Sequence, residues 1–593
     1  MTKIENHYFT LYSKWGPESV HVYIQELASE LCCTDRHAKT LIKNMQNNKW
    51  ITWQPNPGRG KVSKLTFLVN PHELEKQNVK SWIESGDITQ ALKWMENQQE
   101  LEVTFVKWLE NHFQWTPSHL HENDFDVLRY PYYHPIDTFL PCEMTSRHER
   151  HLGEQIFNRL LRYDDETHSF IPEIAHHWES FEHGRIWRFY LRKGVLFHDG
   201  CPLTSETIKE NIEFWSESQL DGWKAYMFDE IKKIETPSPT VIDLYLSKPN
   251  QLLSHVFTDY KSMIIPISVF KKNPDSFRNH PIGSGPYKVK KHEKGHIILE
   301  SFSNYFGYRP FLDKIELFHI PNSPFPPKRE AHYQLVERDS SSVKQYDWVR
   351  PEVGGIYLVV NHHKEGIHTH PKFGKMLSYA LDRQKLFQDH THHEVWFPDS
   401  FFDEKADVLR QQSKIKKAKK WFQKKGVTTL TLASTCLEHD AHFGVELEKL
   451  TSYFKQFGIT LKTTIVNMHD LAKEDNLKQT DLIITEMSLG ENHLVSMLNA
   501  LSSNTSFICN TLPHDIKIQL DVMLANVRHA ETTESAYQYM RQTESFLLDH
   551  YFVIFLYQRR VHIHVEADEK IKGIEMNRYN RLNYQKLWCK LGK

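Results

Sequence analysis

Apolar residues in the first seventy positions recur with the 3.6-residue period of a helix, three times over. Tyr8, Leu11, Tyr12 and Trp15 fall at i, i+3, i+4 and i+7 before Gly16-Pro17, and Ile24, Leu27, Ala28 and Leu31 repeat the spacing. After Cys32-Cys33-Thr34 it returns in Ala38, Leu41, Ile42 and Met45, with Thr34 placed as the N-cap. Three such stripes can bury one another. The other faces of the third helix then carry Arg36, His37, Lys39, Thr40, Lys43 and Asn44. Beyond it Lys49–Trp53 reads as a strand, Pro57–Lys61 turns the chain at two glycines, and Val62–Val69 returns. The pattern predicts three helices followed by a hairpin.

From Pro71 to about 122 the texture is helical, with candidate helices around 88–96 and 103–113. After Asp126 strands and helices alternate. Val127–Tyr130 is strand-like, and His151–Leu161 predicts a helix. Trp187, Phe189 and Leu191 alternate with polar neighbours, and Val195–His198 predicts a returning strand. Ile208, Ile212 and Trp215 mark a further helix capped at Thr204 or Ser205.

A length of 593 residues exceeds what one core supports and predicts three to four domain-sized units. The net charge of −2 shows that any cationic surface is local. One such surface lies between positions 34 and 68, where seven Lys or Arg face a single acid, Asp35. A helix followed by a basic, glycine-tipped hairpin is the layout of a winged helix on DNA. Arg36, His37, Lys39, Thr40, Lys43 and Asn44 would then reach base edges or phosphates, while Arg59, Lys61 and Lys64 hold the flanking backbone. The opening residues carry no charged segment followed by an apolar run, so no signal peptide is expected. No apolar stretch is long enough to span a membrane. The seven cysteines are irregularly spaced, with no CxxC, which fits free thiols in a reducing cytoplasm.

Chemistry is sparse. Ile282-Gly283-Ser284-Gly285-Pro286-Tyr287 lacks the completion of a dinucleotide or phosphate loop and reads as a tight bend. The 37 histidines form no HExxH and no Cys/His ligand set, so neither a metal nor a cofactor is expected. No nucleophile motif appears, and the chain is not expected to be an enzyme.

Glu173–Trp215, His280–Val289 with Ser303–Ile320, Gly355–Gly366 with Met376–Arg383, and Tyr551–Glu575 resemble, in order, four signatures of family 5 extracytoplasmic solute-binding proteins. At the other end, LASELCCTDRHAKTLIKNMQ with GRGKVSKLTFL resembles SgrR-type transcriptional regulators, standing where family 5 proteins carry a lipobox. The resemblance implies an α/β multi-domain protein: a winged helix-turn-helix (1–70), a helical connector (71–122) and a two-lobed, periplasmic-binding-protein-like type II clamp. Lobe I would take 123–322, lobe II 323–552, and 553–593 would return to lobe I. Pro321–Val353 departs from the importers in being proline-rich and short.

The implied function is a cytoplasmic regulator that binds a double-stranded operator, with dimerisation on DNA a possibility, and senses a small-molecule effector by hinge closure. For a cationic effector such as a peptide amino terminus, the resemblance points to Glu486 or Glu491, beside Asn492. For an anionic one such as a sugar phosphate, Arg147, Arg129 or Arg350 suit better, because a guanidinium grips phosphate bidentately. Tyr130, Tyr132, Tyr133 and Trp178 are candidate walls. The alternative is an intracellular solute-binding protein whose winged helix binds a protein.

Overall fold

In the computed structural model the chain begins with α1 (Lys3–Trp15), β1 (Val20–Val22), α2 (Ile24–Glu30), α3 (Asp35–Asn47), β2 (Ile51–Gln54) and β3 (Ser63–Phe67). The structure describes all residues except 1, 57–60, 86, 100, 113–114, 117–125, 133–135, 145, 165–166, 218–227, 294, 321–330, 336–342, 389–393, 402–413, 437–442, 491, 504–505, 578 and 591–593.

The predicted stripes are the faces that meet. Tyr8, Leu11, Leu27, Ala38, Leu41, Ile42 and Met45 are all buried. The Thr34 hydroxyl accepts the His37 N–H at 3.3 Å and starts α3. β3 lies between β1 and β2, antiparallel to both. β1 is new relative to the sequence reading, because three residues are too few to show a period.

Three helices follow: α4 (Pro71–Glu84), α5 (Ile88–Glu96) and α6 (Val103–His112). They do more than space two domains. Leu74 of α4 is buried in the core of the first module, whose Tyr8 hydroxyl donates to the Val69 carbonyl. Val79 and Ile83 of the same helix are buried in a second core with Leu92, Phe105 and Leu109. That second core also takes in Phe318 and Ile320, at the end of strand Lys314–His319. Lys76, itself buried, donates to Glu102 at 2.8 Å and pins α4 to the turn before α6. One helix is thus shared by two hydrophobic cores, and burial of that kind contributes about 1.5–3 kcal/mol per large side chain.

In the first lobe, Lys314–His319 runs parallel to Val127–Tyr132 inside a five-stranded sheet, and a four-stranded sheet packs nearby. The helix predicted at 151–161 is Arg147–Ile156 instead, started by Ser146, whose hydroxyl accepts the Glu149 N–H at 3.1 Å. Val195–His198 forms no strand; Leu196 makes only an isolated bridge to Pro202. The second lobe is built on Gly354–Val360, antiparallel to both Leu482–Ser488 and the long strand Val553–Asp568. Tyr357 and Val359 enter one core while Ile356, Leu358 and Val360 enter another, so the sheet is buried on both faces.

Val553–Asp568 passes between the lobes without a break. Residues 553–557 belong to the second lobe's cores, and Val561, Ile563, Val565 and Ala567 to the first lobe's. Strands Ala331–Leu335 and Val343–Pro351 pair with this far half, and Tyr333 and Leu335 sit in the first lobe's core. The packing thus joins Tyr333 and Leu335 to the first lobe's core, on the far side of the sequence boundary at 323. The C-terminal Leu582, Tyr584 and Leu587 also close into the first lobe.

Candidate DNA interface and interlobe seam

On α3, Arg36, His37, Lys39, Thr40, Lys43 and Asn44 are all exposed, and the buried face is the apolar stripe behind them. Thr40 donates its hydroxyl back to the Arg36 carbonyl at 3.2 Å, so its methyl and oxygen stay on the outer face. Lys61 and Lys64 are exposed beside it, Lys64 pairing in the sheet with Gln54 on one side and His21 on the other. Arg59 lies outside the described residues. Helix and hairpin thus present five described cations, Arg36, Lys39, Lys43, Lys61 and Lys64, on the surface of one small module. Cations so clustered attract phosphate whatever the charge of the whole molecule.

Across the two lobes, described side chains meet near the crossover strand and again farther along, where Glu230 of the first lobe also pairs with His529 of the second at 2.5 Å. Near the crossover strand, Arg147 donates to the Ser488 hydroxyl from Nη2 at 2.8 Å and from Nε at 3.2 Å, and pairs with Glu352. Farther along, Asn492 caps the helix His493–Ser502 by accepting the Val495 N–H, and its amide reaches into the first lobe. There it donates to His255 Nδ1 at 2.7 Å and to the Thr258 hydroxyl at 3.2 Å. With Nδ1 accepting, His255 Nε2 carries the proton and donates to the Thr533 hydroxyl of the second lobe at 3.2 Å. Asn499 donates to the Asp259 carboxylate at 2.9 Å. Asn492, His255, Thr258, Asn499 and Asp259 are all buried, whereas Arg147, Ser488, Glu352 and Thr533 are half-buried. A buried polar contact that exists only when two bodies are together is a latch for their closed arrangement.

Comparison with known proteins agrees with this architecture. The family model for bacterial extracellular solute-binding proteins, family 5, matches residues 169–507, more than half of the chain. The chain belongs to that family. A second model, the sugar transport-related sRNA regulator N-terminal domain, matches residues 3–115, which takes in the winged helix and α4–α6. The HTH-type transcriptional regulator SgrR of Yersinia enterocolitica serotype O:8 is 26% identical, over 78% of this chain and 79% of its own. Bacillus subtilis (strain 168) protein YhjP is 25% identical over 95% of each chain. Among solved structures, the Bacillus subtilis oligopeptide-binding protein AppA in complex with a nonapeptide superposes with a TM-score of 0.61 at 17% identity, covering 78% of this chain and 98% of that one.

Within this family 5 clamp the candidate ligand residues separate. Arg147 and Asn492 are on the seam. Glu486 is close to it, two residues before Ser488, but is held by Arg559 Nη1 at 2.8 Å. Arg559 is itself buried and also faces Glu446 at 3.7 Å, so Glu486 belongs to a structural ion-pair cluster at the crossover. Arg129 is engaged with Glu316 on the neighbouring strand at 2.8 Å, and Arg350 reaches the Asn577 carbonyl at 3.5 Å. Tyr130 packs edge-on to Tyr333 and shares a hydroxyl contact with Tyr584, inside the first lobe. Tyr132 is buried, and its phenol is pushed well up by burial, with Asp137 adding to the effect. Trp178 is one ring back from the seam, edge-on to Phe170, which in turn lies edge-on to His255. Glu491 and Tyr133 lie outside the described residues.

The bend at Gly283 and Gly285 is explained by contact. A Cβ on either glycine would run into the backbone carbonyl at the end of helix Arg147–Ile156. Gly285 N–H donates to the Ile156 carbonyl at 2.8 Å, and His198 bridges the bend, held largely neutral because burial draws its imidazole down to about 4. Among the described residues no three His, Cys, Asp or Glu side chains are placed to hold a metal ion. Among the same residues no helix is long and apolar enough to cross a membrane.

What the sequence did not show is His255, Thr258, Asp259, Asn499 and Glu352. Their partners lie 234–240 residues away for the Asn492 and Asn499 contacts, and no local pattern announces them.

Proposed function

We propose that this protein is a cytoplasmic, DNA-binding transcriptional regulator whose family 5 clamp senses a small-molecule effector. The carrying observation is the outward polar and cationic face of α3 and the hairpin, on a module anchored through α4 to the clamp. α3 enters the major groove, and Lys61 and Lys64 hold the flanking phosphates. The names of the SgrR relatives and of the N-terminal family model support this reading.

The effector, a sugar phosphate or a short peptide, binds between the lobes. An anionic group competes with Glu352 for Arg147; a peptide's ammonium is drawn to Glu352 itself. Binding changes DNA affinity only in so far as it separates open from closed forms, because a ligand shifts an equilibrium by its differential affinity. The test is titration of the full chain into the upstream region of its own gene, followed by anisotropy at several salt concentrations. Binding that weakens, with a shallower salt dependence, in the variant Lys39→Ala/Lys43→Ala supports the reading. A wild-type chain with no affinity for any duplex sinks it. Native mass spectrometry of the same complexes reads bound effector and whether two copies share one site.

A further inference from the structure

A second cationic surface stands far along the chain. The helix Ile415–Lys425 and its N-cap Lys414 carry seven lysines within twelve residues and no acid. Each of the seven is exposed, and among the described residues none makes an ion pair. Lys416/Lys419, Lys416/Lys420, Lys417/Lys420 and Lys420/Lys424 are like-charge pairs at i,i+3 or i,i+4, each costing the isolated helix about 0.2–0.5 kcal/mol. Lys424 and Lys425 have a structural reason, since they oppose the helix dipole before the left-handed Gly426. Among the described residues Lys416, Lys419 and Lys420 have no such reason. Lys414 and Lys417 lie over the Tyr379 ring at 5.1 and 5.5 Å and widen the cationic face.

We propose that this helix is a second contact for double-stranded DNA, gripping phosphates beyond the footprint of the winged helix. Charge complementarity argues for a polyanion. The apolar side argues against a membrane: Ala418 and Phe422 are completely buried, and Trp421 is packed against His370, so nothing is left to insert into lipid. A single strand would need exposed rings to stack its bases, and the helix offers none. Lysines spread along a rigid helix about 16 Å long can face several successive phosphates, which are about 3.4 Å apart along each strand of a duplex. The inference rests on the regulator reading above and extends its DNA contact to the clamp.

The experiment uses the full chain and the upstream region of its own gene, as duplexes of about two and about six helical turns. Binding is read at several salt concentrations for the wild type, for Lys416→Glu/Lys417→Glu/Lys420→Glu, and for the charge-keeping variant Lys416→Arg/Lys417→Arg/Lys420→Arg. Loss of three phosphate contacts lowers the slope of log K against log salt by about 2.7 on the long duplex only. The arginine variant keeps the wild-type slope. A lysine-acetylation footprint of the wild type is independent of variant folding: protection of Lys416, Lys417, Lys419 and Lys420 is expected with the long duplex and not with the short one. Identical slopes with no protection overturn the inference while leaving short-duplex binding intact. Lysine-dependent binding of phosphatidylglycerol vesicles, polyuridine or an acidic protein, without the long-duplex effect, also overturns it. No binding of either duplex by the wild type overturns the regulator reading first.

Discussion

Replacing Asn492 with serine isolates the latch between the lobes. Serine caps a helix about as well as asparagine, so His493–Ser502 keeps its first turn. What disappears is the amide that donates to His255 Nδ1 at 2.7 Å and to Thr258 at 3.2 Å. Two neutral hydrogen bonds are together worth about 2 kcal/mol net. His255 is 1% exposed, and leaving its ring nitrogen unsatisfied adds about 1–3 kcal/mol in the closed form. In an open form water meets both groups, so the loss falls on closure alone. Even about 2 kcal/mol moves the open-to-closed ratio by ~30-fold. Single-pair energy transfer between dyes on the outer faces of the two lobes reads that ratio directly, before and after effector. A double-mutant cycle with Thr258→Val separates the Thr258 bond, and a coupling near 1 kcal/mol is expected. Additivity within about 0.3–0.5 kcal/mol, with an unchanged open fraction, would show that this contact does not hold the lobes together.

Other outcomes follow from single sites. Lys39→Ala/Lys43→Ala leaves thermal stability within about 0.5 kcal/mol because both side chains are exposed, yet flattens the salt slope for duplex binding by about 1.8. An unchanged slope removes α3 from the interface. Arg559→Leu strands the buried Glu446 without its cation and costs about 3–5 kcal/mol in denaturant unfolding. Destabilisation below 1 kcal/mol would mean that the cluster is solvated. Burial lowers His151 to about 3 and His198, His296 and His362 to about 4. The unfolded chain takes up those protons first, near the ordinary value of about 6.5, so stability is full above that pH and falls as pH drops toward 4. Unfolding midpoints that stay level between pH 6.5 and 5 would contradict the burial of these rings.

The parts legible in the sequence were those in which burial follows a local period. The stripe Ala38, Leu41, Ile42, Met45 alone fixes which side of α3 faces out. Trp187, Phe189 and Leu191 likewise pack inward as their alternation requires. Tyr333 and Leu335 are tied to the first lobe's core by pairing with residues 565 and 567, which no window along the chain contains. The candidate aromatics divide for a similar reason. Tyr130 and Tyr132 look like pocket walls from their composition, but the parallel partner Lys314–His319 and the returning Tyr584 cover them. Glu486 is held by Arg559, a residue 73 positions away.

Because Leu74 is set in one core and Val79 and Ile83 in the next, the rotational phase between head and trap is written in a count of residues. Adding or deleting one residue between Leu74 and Val79 would swing the reading head by about 100° about the helix axis and slide it by about 1.5 Å. Length in this short stretch is therefore as constrained as the chemistry at either end, and a natural insertion there would come in multiples that restore the turn.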